Sequence, residues 1–299
     1  MGVTILLTIY GRPDFYKEAL NSLAKQTDQS FELIIYSNIP VEYDLSKFKD
    51  VKVIDSPNTT IAFRYAHGLR NAKYDKIAFL DDDDVYSPDK IEFLNNNIFG
   101  YLKHDYWHIT EGKHNSGKGF NMSSIVINRK YFSGLVEAFE SNGDFGLLPD
   151  SFVYWYAIEH QVPIKIVKNK LSGYRFRSYS VLQDRMKETM ETQLKWLNEA
   201  SRYFKNQEVQ KIIMQKIISN KIMLQSLGIK QDLTLSDVIW LMKSGIDGRV
   251  SKLLSYLLTE YLGNTGIKII NARRNKKIRD NSKIMIAKLS MENDGQNDD

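Results

Sequence analysis

In "IAFLDDDDVYSPDK" (77–90) an apolar run passes without a spacer into four adjacent carboxylates, Asp81 to Asp84. Neighbouring like charges repel and resist burial, so a plain core strand does not end this way, and the run calls for positive charge close by. A strand finishing in such a run puts the carboxylates at the carboxyl edge of a sheet, where open α/β sheets bind ligands. A hard divalent cation relieves the repulsion, because Mg²⁺ or Mn²⁺ prefers carboxylate oxygens and bridges them to diphosphates. A calcium loop fits poorly: counting from Asp81, Glu92 reaches position twelve, but Tyr86 stands at the glycine position and Val85 at a ligand position. A solvated acidic turn or a helix cap before "PDKIEFL" is the plainer alternative.

Upstream, short apolar runs alternate with amphipathic stretches: "VTILLTIY", "PDFYKEALNSLAKQ", "FELIIYS", "VKVIDS", "TIAFRYAHGLRNAK", "KIAFL". Strands separated by helical periods predict crossover helices and hence a mostly parallel sheet flanked by helices. Pro13 and Asp14 after Gly11 suit a helix start, so the loop after the first strand faces the ligand-bearing edge. Downstream, residues 87–179 are less regular and aromatic-rich, with "NSGKGFNMSSIVINRKYF" reading as a loop and then a strand. Beyond about Val181 the pattern turns helical, with no proline after Pro163. The expected division is a catalytic-type α/β domain over 1–182, a helical C-terminal region over 183–262, and a basic segment with an acidic, disordered tip over 263–299.

The chain has 299 residues with 42% hydrophobic content, enough for a large core. Its 41 Lys+Arg against 36 Asp+Glu give +5, a weak argument for a nucleic-acid partner. The absence of cysteine removes disulfides, thiolate zinc sites and thiol nucleophiles, so any metal is held by oxygen or imidazole. The apolar start "MGVTILLTIYG" is too short for a signal peptide or a spanning helix, and no later stretch reaches the roughly 18 to 20 apolar residues a span needs. Leu6 at the sixth position also argues against myristoylation. A cytoplasmic protein, soluble or at the membrane surface, is expected.

The string "DKIAFLDDDDVYSPDKIEFL" resembles the Asp-x-Asp segment of the family 2 glycosyltransferases, which have the GT-A fold and use nucleotide-diphosphate sugars with a divalent metal. "VTILLTIYGRPDFYKEALNSLAKQTDQSFELIIYSN" is similar to that family's first strand, helix and second strand, including the Gln-Thr before the phenylalanine that opens strand two. "FRYAHGLRNAKYDKIAFL" looks like its next helix and strand, so the resemblance runs in order over about residues 3–180. It implies that Thr8 and Tyr10 line the nucleoside pocket, that Arg64 approaches the nucleotide, that Asp81 and Asp82 face ribose and phosphate, and that Asp83 is the direct metal ligand. Taken singly, Thr8 and Tyr10 read equally as strand residues and Arg64 as a helix charge. The family usually ends its second strand with aspartates that read uracil, whereas "IIYSNIP" places Ser37 and Asn38 there. An Asn carbonyl accepts from a base N–H but its amide also donates, which alters the code. A UDP-sugar is the favoured donor, with a GDP-sugar second.

The resemblance further implies an acidic loop and helix in "GDFGLLPDSFVYWYAIEHQVPIKIV", matching Asp150 to the base that deprotonates the acceptor hydroxyl. Asp144 competes for that role, and Pro-Asp-Ser before an apolar helix also suits Asp150 as an amino-terminal cap. "LSGYRFRSYSV" resembles the family's Tyr-Arg segment, so Arg175 would close over the diphosphate, with Arg177 as a lesser candidate. His108 or His114 as a third metal ligand is the weaker reading against a structural histidine. Trp107, Trp155 and Tyr156 suit either a sugar face or core packing, and core packing is expected for at least two.

Eight Lys and Arg residues between Lys268 and Lys288 are interleaved with apolar ones, which suits either a basic amphipathic helix on an anionic membrane through residues 266–288 or a solvated helix face. The expected activity is metal-dependent, inverting transfer of a sugar to a hydroxyl of a glycan or lipid-linked acceptor. A catalytically inactive adaptor on the same scaffold, binding membrane or nucleic acid, is one alternative. A sugar nucleotidyltransferase is another, for whose phosphate loop "TIYGRPDF" is a poor match.

Overall fold

The computed structural model describes residues 2–10, 15–109, 116–117, 121–141, 148–175 and 186–244, with Gly263, Thr265 and Lys268. The first elements follow the expected order: β1 Val3–Ile9, α1 Tyr16–Ala24, β2 Phe31–Ser37, β3 Val51–Asp55, α2 Ile61–Asn71 and β4 Lys76–Asp81. Then come β5 Val85–Tyr86, α3 Lys90–Asn95, β6 Tyr101–His108, β7 Ser116–Gly117, β8 Ile125–Asn128, α4 Leu135–Ser141, α5 Pro149–Glu159 and β9 Ile164–Tyr174. Three further helices are α6 Met186–Tyr203, α7 Gln207–Ser226 and α8 Leu235–Lys243.

The strands form one sheet in the order β3-β2-β1-β4-β8-β6-β9-β5, with β7 pairing β6. β3, β2, β1 and β4 are mutually parallel, whereas β8 runs antiparallel to both β4 and β6. Two reversals restore the direction, so β6 and its parallel partner β9 end at the same edge as β1 and β4. The short inserted strand is what carries the aromatic middle of the chain back to the ligand-bearing edge.

β1 and β2 are buried at every position, as central strands covered on both faces must be. The exception in composition is Glu32, whose carboxylate accepts from Thr4 Oγ1 at 2.8 Å, Lys52 Nζ at 2.7 Å and the Lys73 backbone N–H at 2.7 Å. Three donors satisfy the buried charge, two of them from elements flanking β2 in the fold. α2 begins at Thr60, whose hydroxyl accepts from Phe63 N, and crosses β1 closely: a Cβ at Gly68 would lie 2.6 Å from Leu6 Cδ1.

The chain divides into two compact units, Met1–Ser180 with Phe204–Val209, and Val181–Tyr203 with Gln210–Asp299. Phe204 belongs to the first unit because its ring packs 5.4 Å from Phe152 and 5.9 Å from Trp155, while Glu159 accepts the backbone N–H groups of Lys205 and Asn206. Within the second unit, Ile218 and Ile222 of α7 pack with Val238 and Leu241 of α8, and Thr234 and Asp237 close a capping box at the start of α8. Apart from Lys268, the basic segment 266–288 lies outside the described residues, as does the acidic tip. Among the described residues no helix is long and apolar enough to cross a membrane.

Candidate active site

The carboxyl ends of β1 and β4 meet at Thr8, which lies opposite both Tyr36 and Asp81 in register. Two residues on, the backbone N–H of Tyr10 donates to Asp82 Oδ2 at 2.8 Å, so the acid run is tied to the end of the neighbouring strand. The run itself is a turn: Asp84 N donates to Asp81 O at 3.1 Å, and β5 follows directly. Its side chains alternate in burial, with Asp82 and Asp84 inside and Asp81 and Asp83 half-buried. Asp81 and Asp83 are therefore the more accessible pair.

Asp84 was given no role by sequence reasoning. Its Oδ1 accepts the Arg175 backbone N–H at 3.0 Å. Burial pushes its carboxyl up to about 7, with Asp83 adding to the shift and the Ser123 hydroxyl, the Arg175 N–H and Lys90 opposing it. Lys90 is wholly buried beneath, its Nζ donating to Ser123 O at 2.8 Å and lying 3.4 Å from the Tyr86 ring centroid. Ser123 Oγ in turn accepts from Asp81 N at 3.1 Å. The turn thus rests on a polar floor built from α3 and the segment before β8.

Gln26 and Thr27 hold the chain that leaves the turn. Gln26 donates to Ser87 O at 2.7 Å and accepts from Ile91 N at 3.1 Å, and Thr27 N donates to Pro88 O at 2.8 Å. The Gln-Thr pair noted in the sequence is therefore a clasp between α1 and the start of α3.

Arg64 is 1% exposed, although sequence alone allowed a surface helix charge. Its Nε donates to Thr59 Oγ1 and its Nη2 to Ser56 O, both at 3.0 Å, and its guanidinium lies 5.3 Å from the Tyr10 ring centroid. Tyr10 is 63% exposed, so one buried cation props an exposed aromatic ring at the edge of the sheet. Ser37 is buried and turned inward, its hydroxyl donating to Ile39 O, whereas Asn38 is half-buried beside it.

Asp150 lies in the first turn of α5, where its Oδ1 accepts the Ser151 N–H at 2.6 Å. Burial pushes the Tyr65 phenol well above its usual value; the Asp81 and Asp150 charges reinforce this, and a hydrogen bond with Thr8 opposes it.

At the ends of β6 and β9, Tyr106, His108 and Tyr174 form an aromatic cluster with centroid separations of 5.3 to 6.1 Å. Trp107 is half-buried against Gly173, while Trp155 and Tyr156 are core residues. Arg177, Asp144 and His114 lie outside the described residues. Among the described residues no three His, Asp or Glu side chains are grouped to hold a metal by themselves. Asp81 and Asp83 are the carboxylates of the turn that could hold a hard cation, since Mg²⁺ or Mn²⁺ sites can use one or two carboxylates and complete their shell with substrate phosphates.

Residues 4–99 match the family model of Glycosyl transferase family 2. An uncharacterised glycosyltransferase of Rickettsia felis is 30% identical over 145 residues, covering 45% of this chain and 23% of that protein. Protein CgeD of Bacillus subtilis is 30% identical over 105 residues, covering 30% of this chain and 24% of that protein. The chain spans about a quarter of the length of these curated relatives. Among solved structures, S. aureus TarS 1-349 in complex with UDP-GlcNAc superposes with a TM-score of 0.54 at 12% identity, covering 92% of each chain. A mannosyltransferase of Pyrobaculum calidifontis, in complex with GDP-Man and Mn²⁺, gives a TM-score of 0.54 at 11% identity over 91% of this chain and 86% of that one. At these identities the likeness establishes the GT-A fold.

Proposed function

We propose, from an amino-terminal domain of glycosyl transferase family 2, that this chain is a metal-dependent, inverting glycosyltransferase whose donor is a nucleotide-diphosphate sugar. The observation that carries the reading is the junction of β1 and β4: the Tyr10 N–H donates to Asp82, and the Arg64 guanidinium lies 5.3 Å from the Tyr10 ring centroid, beside the turn that carries Asp81 and Asp83. An exposed ring over a buried cation and a run of carboxylates stand at the carboxyl ends of two parallel strands, which supports a nucleotide-sugar site there.

Tyr10 offers its open ring to the base, with Arg64 and Thr8 beneath, and Asn38 reads the base edge. Asp81 and Asp82 take the ribose and phosphate side, and Asp83 holds the cation. The bound Mn²⁺ or Mg²⁺ supplies charge neutralisation for the diphosphate. Arg175 adds positive charge at the same turn. Asp150 accepts the proton of the acceptor hydroxyl as its oxygen bonds to the anomeric carbon. The bond from that carbon to phosphate breaks in the same step, and the nucleotide diphosphate leaves with the electron pair. The acceptor is a glycan or lipid-linked hydroxyl, met in the cytoplasm or at the membrane surface, where residues 266–288 make a peripheral contact.

Calorimetric titration of UDP, GDP and CDP, with and without Mn²⁺, tests the reading. One nucleotide binding only with metal, and not at all to Asp83→Ala, supports it. Binding of none of them by the wild type overturns it.

A further inference from the structure

Arg175 joins three parts of the site that are remote in sequence. Its backbone N–H bonds Asp84 Oδ1 at 3.0 Å and its Nε bonds the Asp83 carbonyl at 3.1 Å. Its Nη2 donates to Glu18 Oε2 at 2.5 Å, and the guanidinium lies 4.6 Å from the centroid of Phe15, at the foot of α1. The arginine side chain is 18% exposed and the glutamate 52%. The peptide fixed by Nε is the one that carries Asp83.

The turn offers an arginine two kinds of acceptor: its backbone carbonyl, which Nε takes, and its carboxylates, with which a guanidinium forms strong forked pairs that would stand in the way of a cation. Glu18 supplies a competing carboxylate from α1. We infer that Glu18 is a positioning residue: it anchors Arg175 against the Asp83 carbonyl, keeping the turn fixed and the guanidinium off the cation-binding carboxylates. For its ligand this rests on the proposed transferase reading; for the restraint on the turn it does not.

Glu18 also lies in the first turn of α1, where an acidic residue favours the helix dipole irrespective of Arg175. A double-mutant cycle separates the two roles. Glu18→Gln, Arg175→Gln and the double variant are titrated with UDP and with GDP in the presence of Mn²⁺, and amide hydrogen exchange is followed at Asp84 and Arg175 without ligand. Loss of Glu18 is expected to weaken metal-dependent nucleotide binding about fivefold, the upper end for a half-exposed ion pair. Exchange at both amides should quicken by a similar factor, and the double variant should match Arg175→Gln alone. Unchanged exchange in Glu18→Gln, or single-variant effects that add in the double variant, overturns the inference. If the wild type binds none of UDP, GDP and CDP, the transferase reading falls, and the exchange cycle still decides the role of Glu18.

Discussion

The Tyr10 amide and the Asp82 carboxylate are 72 residues apart in sequence and 2.8 Å apart in space, and their bond joins the ends of two parallel strands. Asp82 is 2% exposed, so its removal takes away a charged acceptor held inside the fold and leaves the partly buried Tyr10 N–H without this partner. Asp82→Ala is expected to lower the unfolding free energy by about 2 kcal/mol, within the range for buried hydrogen bonds to charged groups. Asp82→Asn keeps one oxygen acceptor and should lose less than half of that. Urea denaturation of the two variants measures the difference, and equal losses would assign the effect to the charge.

Arg64 is held at two acceptors, Thr59 Oγ1 and Ser56 O, that its rigid fork meets together. Burial lowers its pKa, while Coulombic interaction with the Tyr10 and Tyr65 phenol groups and with Asp82 offsets part of that cost. Arg64→Ala leaves the Ser56 carbonyl without this donor and should cost about 1–3 kcal/mol. Arg64→Lys has no fork and is expected to recover little of it. Thermal unfolding checks both, and nucleotide titration should show each variant weakened, since Tyr10 loses its support.

Much of this site could be read from the sequence because the parallel half of the sheet is built from local units, each an apolar strand with its crossover helix. The strand ends Thr8 and Asp81 come together by register alone, which periodicity predicts. The turn's surroundings come from farther away. Arg175 arrives 92 positions after the Asp83 carbonyl that it meets, and Ser123 arrives 42 positions after Asp81. Those approaches depend on β8 reversing the direction of the sheet, for which the four-residue run "IVIN" gives no orientation. Burial of Arg64 was equally hidden, since a helix charge and a propped guanidinium have one spelling. Within "DDDD" four identical residues carry no mark of which are buried, because the run leaves β4 as a turn and the burial of Asp82 and Asp84 is set by Tyr10 and Arg175 from other parts of the chain.

Gly173 faces Trp107 across the β6–β9 pairing, and a Cβ there would lie 2.7 Å from indole Cε2 and Nε1. Gly173→Ala must therefore displace the ring, two residues before Arg175, and should cost about 1–3 kcal/mol by overpacking. The cost disappears if the ring is removed. A Trp107→Ala, Gly173→Ala double variant is expected to be no less stable than Trp107→Ala, whereas additive losses would place the strain in the backbone of β9.

His104 is completely buried in β6, with Nδ1 2.8 Å from the Asp105 carbonyl. Burial lowers its pKa well below the ordinary value, and the Lys90 and Lys103 charges add to this while the Asp105 bond opposes it. Below about pH 6.5 the unfolded chain takes up a proton at this residue that the folded chain refuses. The contribution is therefore full above the unfolded pKa, and stability falls with acidity at about 1.4 kcal/mol per pH unit for the one proton. Denaturation of the wild type and of His104→Gln between pH 7.5 and pH 5, about one and a half units to the acid side of that pKa, should show a shallower acid loss in the variant. Parallel curves would mean that the folded protein protonates His104 as readily as the unfolded chain does.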